Sequence, residues 1–175
     1  LRTPRLLIVN ADDFGFTADV NQGIVEAHRN GILTATTLMA NGDAFDDAVR
    51  LARENPFLDV GCHLVLVGGK SVADSGRLLP ASVTELVRAI ATRGLSIREE
   101  LAAQVRTLLA AGIRPSHLDT HKHKHLHPTV LSAVARVSRE FGIPWIRKPL
   151  PAPVLGRLLE RKLRRSGCRT TDHFA

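Results

Sequence analysis

Three separated stretches of the chain carry side chains suited to holding a cation and moving a proton. Asp12 and Asp13 stand side by side after the apolar run Leu6-Leu7-Ile8-Val9. His63 interrupts the otherwise apolar Val60-Gly61-Cys62-His63-Leu64-Val65-Leu66. Five of the eight histidines crowd into His117 to His127, a stretch that also contains Asp119. Neighbouring carboxylates beside buried strand are costly unless paired or metal-bound, so Asp12-Asp13 asks for a positive partner. One of the two can hold a divalent ion while the other accepts a proton. The plain alternative is that one aspartate only caps the next loop or helix.

His63 alone would read as a hydrogen-bonded core histidine; alongside the other two clusters it reads as a ligand. In an extended chain His117, Asp119, His121, His123, His125 and His127 point one way. A catalytic zinc-type site takes about three protein ligands and keeps a position open, so they cannot all serve one ion. One or two of these histidines bind metal, and the rest line the cleft, orient ligands or meet solvent. Cys62, alternating to the opposite face from His63, is expected in the core.

The elements that must position these groups alternate regularly. Leu6 to Val9 predicts a buried strand ending at Asp12-Asp13, followed by a helix from about Asp19 to Asn30-Gly31. Thr34 to Ala40 is strand-like, and a helix opening at Asn41-Gly42-Asp43 breaks before Asn55-Pro56. Asp59 to Leu66 is a third strand, and Gly68 to Pro80 a loop. Ser82-x-x-Glu85 and Ser96-x-x-Glu99 are capping-box signatures for two helices, the second ending at Gly112. Ser116 to His121 is a fourth strand. A helix begins at His127-Pro128 and closes at Gly142. Pro144 to Lys148 is a short fifth strand, Pro153 to Ser166 a basic helix, and Arg169 to Ala175 the start of a sixth strand. Such alternation predicts a parallel sheet with covering helices, barrel-like or doubly wound. Functional side chains in these folds gather at the carboxyl ends of strands, where all three clusters fall. No GxGxxG or GxxxxGK[ST] motif points to nucleotide binding.

The 175 residues, 44% hydrophobic and 23% charged, fit one α/β domain spanning 1–175 rather than a disordered or low-complexity chain. No apolar run reaches the roughly 18 residues of a membrane helix, so an integral membrane protein is not expected. Two cysteines argue for a reducing, cytoplasmic setting. The first residue is Leu1 rather than Met, which allows for N-terminal trimming. From Arg147 onward eight bases face Glu160 and Asp172, which accounts for +6 of the +7 net charge. The charge rides mainly on one amphipathic helix and reads as a solvated face, so no nucleic-acid partner is expected.

Leu7-Ile8-Val9-Asn10-Ala11-Asp12-Asp13-Phe14-Gly15, Gly61-Cys62-His63-Leu64 and His117-Leu118-Asp119-Thr120-His121-Lys122-His123 together resemble the YdjC-type carbohydrate deacetylases. Asn30 to Gly42 is also similar to that family, and the likeness runs from residue 6 to about residue 149. His121-Lys122-His123 and Arg147-Lys148-Pro149 resemble the branch associated with hopanoid biosynthesis. The resemblance implies an incomplete (β/α) barrel of polysaccharide-deacetylase type. It also implies a divalent metal, Mg or Zn, and removal of an acetyl group from an N-acetylated sugar or glycolipid. Asp13, His63 and His121 would be the metal ligands, and Asp12 the catalytic base. His125 would be a second catalytic group, with His123 and Asn10 in contact with substrate. Family members continue beyond the point where this chain stops, and only five or six strands fit here. The expectation is therefore a fragment, or a surface completed by a partner chain, a homo-oligomer included.

Two other functions fit the residues. A phosphoesterase uses similar Asp/His clusters on similar scaffolds. A non-catalytic module would use the basic helix on nucleic acid or an anionic membrane surface, with steep salt dependence.

Overall fold

A computed structural model of the chain describes residues 6–122, 127–148 and 155–172. The elements in order are β1 (Asn10–Phe14), α1 (Ala18–Asn30), β2 (Ala35–Leu38), α2 (Phe45–Glu54), β3 (Asp59–Leu64) and α3 (Val83–Ala91). They continue with α4 (Ile97–Ala110), β4 (His117–Thr120), α5 (Pro128–Phe141), β5 (Trp145–Ile146) and α6 (Leu155–Arg165). Among the described residues five strands are parallel and lie in chain order, β1-β2-β3-β4-β5. A doubly wound sheet reverses its winding at a switch point; this one does not. Right-handed crossovers in unbroken order put the helices on one face and leave the other face as the inside of an unclosed (β/α) barrel. That is the incomplete-barrel architecture expected from the sequence.

The helical layer is held by apolar burial. Leu38, Cys62, Leu64 and Leu118 are buried along the strands, with Leu101, Val105 and Leu108 of α4 and Val130, Leu131 and Val134 of α5 in the same core. Cys62 is fully buried as expected, and burial pushes its thiol pKa up, which makes it unreactive. In α6, Leu159 and Leu163 are buried while Arg157, Arg161, Arg164 and Arg165 are exposed. Leu158 is exposed too, so the apolar side is narrower than the leucine spacing suggests. Beyond α6, Arg169 bridges to Trp145 in parallel, where a sixth strand was expected to begin.

Two local expectations need correction. Leu6, Leu7 and Ile8 are not a buried strand; they are 91, 79 and 60% exposed. Pairing with β2 begins only at Val9, whose carbonyl accepts from the amides of Thr34 and Ala35, so the strand is the more polar Asn10–Phe14. The second capping box also fails. Ser82 accepts from the Glu85 amide and Glu85 reaches back to the Ala81 amide, but Ser96 makes no cap bond and Glu99 pairs with Arg98.

Two glycines are required by close approach. A Cβ on Gly42 would lie 2.1 Å from the Gly15 carbonyl oxygen, so the loops after β1 and β2 touch only because residue 42 has no side chain. A Cβ on Gly61 would meet the His117 ring at 2.6 Å; the missing side chain makes room for an imidazole on the inner face.

Candidate metal centre

The inner face of the sheet is polar where its outer face is apolar. Period-two alternation brings Thr37 of β2, His63 of β3 and Asp119 of β4 to the same side, in neighbouring strands. His63 Nδ1 donates to Asp119 Oδ1 at 2.6 Å, and Thr37 Oγ1 lies 3.1 Å from that nitrogen and 3.3 Å from Asp119 Oδ2. This fixes the ring so that Nε2 faces away from Asp119, toward the carboxyl end of the sheet.

The two aspartates of β1 reach the same place through a β-bulge. Ala11 pairs with Thr36 and Phe14 with Leu38, so Asp12 and Asp13 together oppose the single residue Thr37. Asp13 takes up the extra length at φ +63°, a left-handed conformation that aspartate tolerates better than most residues. In a regular strand adjacent side chains diverge; the bulge aims both carboxylates into one cluster.

Three donor atoms converge there. Asp13 Oδ1 is 3.2 Å from His63 Nε2 and 3.0 Å from His121 Nδ1, and the two nitrogens are 3.3 Å apart. A cation bound about 2.0–2.2 Å from each donor would space them by roughly 3–3.5 Å, so the triangle fits a divalent ion. The charges agree. The Arg147 guanidinium pairs with Asp12 and Asp119, while Asp13 faces only the His63 and His121 rings, so three carboxylates surround His63 with one permanent cation among them. Burial works against a charged His63 ring, but the carboxylates of Asp119, Asp13 and Asp12 outweigh it, and its pKa is pushed up to about 10. Hydrogen bonding from His63 holds Asp13 below the ordinary carboxylate range, against burial. Burial, with the nearby positive charge of His63, lowers the pKa of His121 and favours the neutral ring that a metal needs.

A second grouping, Asp12, His63 and Asp119, also has ligand atoms within 4.8 Å of one another. A cation already sits between those carboxylates. Arg147 Nη1 lies 2.6 and 2.8 Å from the two oxygens of Asp12 and 3.0 Å from Asp119 Oδ2. Burial alone would raise the pKa of Asp119; His63 and Arg147 outweigh it and keep the carboxyl ionised. Asp13, His63 and His121 are therefore the better ligand set, with Asp119 and Arg147 supporting it.

Asn10 lies on the same face as Asp12 and donates from Nδ2 to Asp12 Oδ1 at 2.8 Å, while its own Oδ1 is buried without a protein partner. His123 and His125, expected at the substrate, lie outside the described residues. His117 is set lower in the sheet, bonded to Ser116 Oγ, and burial lowers its pKa. Alternation in the sequence places Asp119 on this face, and its role comes only from the register that sets it beside His63. Arg147 falls with the basic tail by composition, but its position directly after β5, at a strand's carboxyl end, is the signal that assigns it to the site.

The carboxylate behind His63 gives a direct test. Asp119→Asn should weaken zinc binding by about 10–100-fold in calorimetric titration, because the ring loses the partner that fixes its tautomer. Unchanged affinity would mean that Thr37 and packing alone orient His63.

Comparison with known proteins supplies the family. The YdjC-like protein family model matches residues 6–175. A carbohydrate deacetylase of Brevibacillus brevis is 43% identical over 150 residues, covering 82% of this chain and 59% of its own length. A carbohydrate deacetylase of Geobacillus stearothermophilus is 43% identical over 147 residues, covering 81% and 59%. The chain thus spans about three-fifths of these relatives. Among solved structures, an Enterococcus faecalis protein named for cellobiose-phosphate cleavage superposes with a TM-score of 0.77 at 29% identity, over 95% of this chain and 66% of that one. A lactam utilization protein of Thermus thermophilus shares the fold, with a TM-score of 0.57 at 21% identity, over 94% of this chain and 64% of that one. With the family model matched across nearly the whole chain and the convergent Asp13, His63 and His121 in place, this protein belongs to the YdjC-like family.

Proposed function

We propose that the site performs metal-dependent hydrolysis of the acetamido group of an N-acetylated carbohydrate. One observation carries the reading: three ligand atoms from β1, β3 and the end of β4 lie 3.0–3.3 Å apart, with a fourth group, Asp12, held beside them by Arg147. The relatives' deacetylase names support it. A divalent ion held by Asp13, His63 and His121 would supply Lewis acidity, polarising the amide carbonyl and acidifying water.

The chain's own residues do the rest. Asp12 accepts the proton of the attacking water, and Arg147 and Asn10 fix the direction of its carboxylate. Asp119 and Thr37 hold the His63 ring in place. His125 and His123 follow directly in the chain after His121 and Lys122 and are the candidates to hydrogen-bond the acetyl oxygen. Two imidazoles and one carboxylate suit zinc or a similar transition ion better than magnesium, which prefers all-oxygen sites.

Acetate release from N,N′-diacetylchitobiose, measured before and after dialysis against a chelator, tests the proposal. Release should fall to background on chelation and return with zinc far better than with magnesium. Undiminished release after chelation would overturn the metal-dependent reading. Phosphate release from an aryl phosphate, with no acetate release, would favour a phosphoesterase.

A further inference from the structure

We infer that Glu100, remote from the ligand cluster, is a positioning residue that fixes the Gly68–Pro80 loop as a carbohydrate-binding wall of the site; the inference rests on the carbohydrate reading above. Glu100 lies in the first turns of α4 and is only 1% exposed. A buried carboxylate is costly unless fully bonded, and this one is bonded chiefly to the loop. It accepts from Ser71 Oγ at 2.5 Å and from the amides of Val72 and Ala73 at 3.0 and 3.2 Å. A fourth bond comes from Gln104 Nε2 at 2.7 Å.

Gln104 ties the same helix face to the strand that carries His63. Its side chain grips both main-chain groups of Val65, accepting from the amide at 2.8 Å and donating to the carbonyl at 2.7 Å. One turn of α4 therefore sets the relation between the ligand strand and the loop that follows it. The loop is also tied at the carboxyl rim of the sheet, where Asn41, just after β2, donates to the Lys70 carbonyl. An apolar side chain at position 100 could close helix to loop, but it would leave the Val72 and Ala73 amides without their partner. The carboxylate holds a defined backbone shape instead.

What the loop displays suits a sugar. Lys70 and Leu78 are bridged in antiparallel fashion, and both are exposed, Leu78 at 71%. An aliphatic side chain next to an ammonium can pack on a pyranose face and bond its hydroxyls. The chain has no tyrosine and a single tryptophan, so aromatic platforms are scarce.

The test compares Glu100→Gln and the surface double variant Lys70→Ala/Leu78→Ala with wild type on N,N′-diacetylchitobiose. Both should raise KM by about tenfold with kcat within about twofold, the pattern of lost binding rather than lost chemistry. Zinc stoichiometry should stay unchanged. Wild-type KM in the folded fraction of Glu100→Gln, or in the double variant, would overturn the inference. Should wild type bind zinc yet release no acetate, the hydrolysis reading fails separately. Calorimetric titration of the zinc-loaded chains with the same disaccharide then decides: weaker binding by both variants sustains the loop's role, and equal binding or none by wild type ends it.

Discussion

Asp13→Asn is expected to give a folded chain that no longer holds a stoichiometric divalent ion. Asparagine is chosen because position 13 sits at φ +63°, within a bulge. Alanine there would add about 1–2 kcal/mol of left-handed backbone strain, and a loss of metal would be confounded with a loss of the bulge. Asparagine tolerates the conformation and keeps the side chain's shape, but it replaces an anionic oxygen with a neutral amide. His63 Nε2 and His121 Nδ1 remain 3.3 Å apart, but the site has lost the carboxylate charge that matches a dication. Zinc content after equilibrium dialysis, by atomic emission, should be about one per chain for wild type and near background for the variant. Thermal melting gives an independent readout. Free zinc at a hundredfold its dissociation constant should stabilise wild type by about 2.7 kcal/mol and leave the variant unmoved. Equal zinc content in the two proteins would remove Asp13 from the ligand set.

Much of this centre was legible before the fold because ligand residues announce themselves by type. Carboxylates and imidazoles inside apolar strand segments are costly there, and the alternating pattern fixed where the strand ends must lie. His63 and the start of the histidine run fell within a residue or two of their observed elements. The first strand was misplaced for a physical reason. An apolar run such as Leu6 to Ile8 signals only a preference for burial, which is not met here, and a strand forms only where a backbone partner lies alongside. Hydrogen bonding to β2 begins at the Val9 carbonyl and the strand runs from Asn10, in a segment whose Asn and Asp content argues against strand on propensity alone.

Arg147 was hidden by a similar limit. Its own segment, Trp145-Ile146-Arg147-Lys148, says only that a cation follows a short strand. That its guanidinium meets Asp12 depends on β5 lying next to β4 and on the bulge in β1, both products of tertiary pairing. Asp119 illustrates the middle case. Alternation put it on the inner face, but only the parallel register with His63 on β3 shows that the two are bonded. The bulge had no sequence signature beyond the doubled aspartate itself.

The largest kinetic effect should come from Asp12→Asn. Asp12 contributes no atom to the triangle of Asp13, His63 and His121, and both its oxygens face Arg147. The amide can still accept from the guanidinium, and Arg147 keeps its bond to Asp119, so the pocket should retain its shape. What is lost is the ability to take a proton. Removing a general base typically lowers turnover by about 10²–10⁴-fold, and kcat for acetate release should fall within that range while zinc content stays at the wild-type level. The same variant separates the two candidate ligand groups. If the ion were held by Asp12, His63 and Asp119, Asp12→Asn would lose zinc along with activity. Retained zinc with lost turnover assigns the base; lost zinc transfers Asp12 to the ligands; full turnover with zinc bound requires a different proton acceptor. The placement of Arg147 already argues for the first outcome. A guanidinium within 2.6–3.0 Å of both Asp12 and Asp119 would repel a second cation between the same two carboxylates, and it leaves the opposite side of His63, toward Asp13 and His121, as the place for the ion.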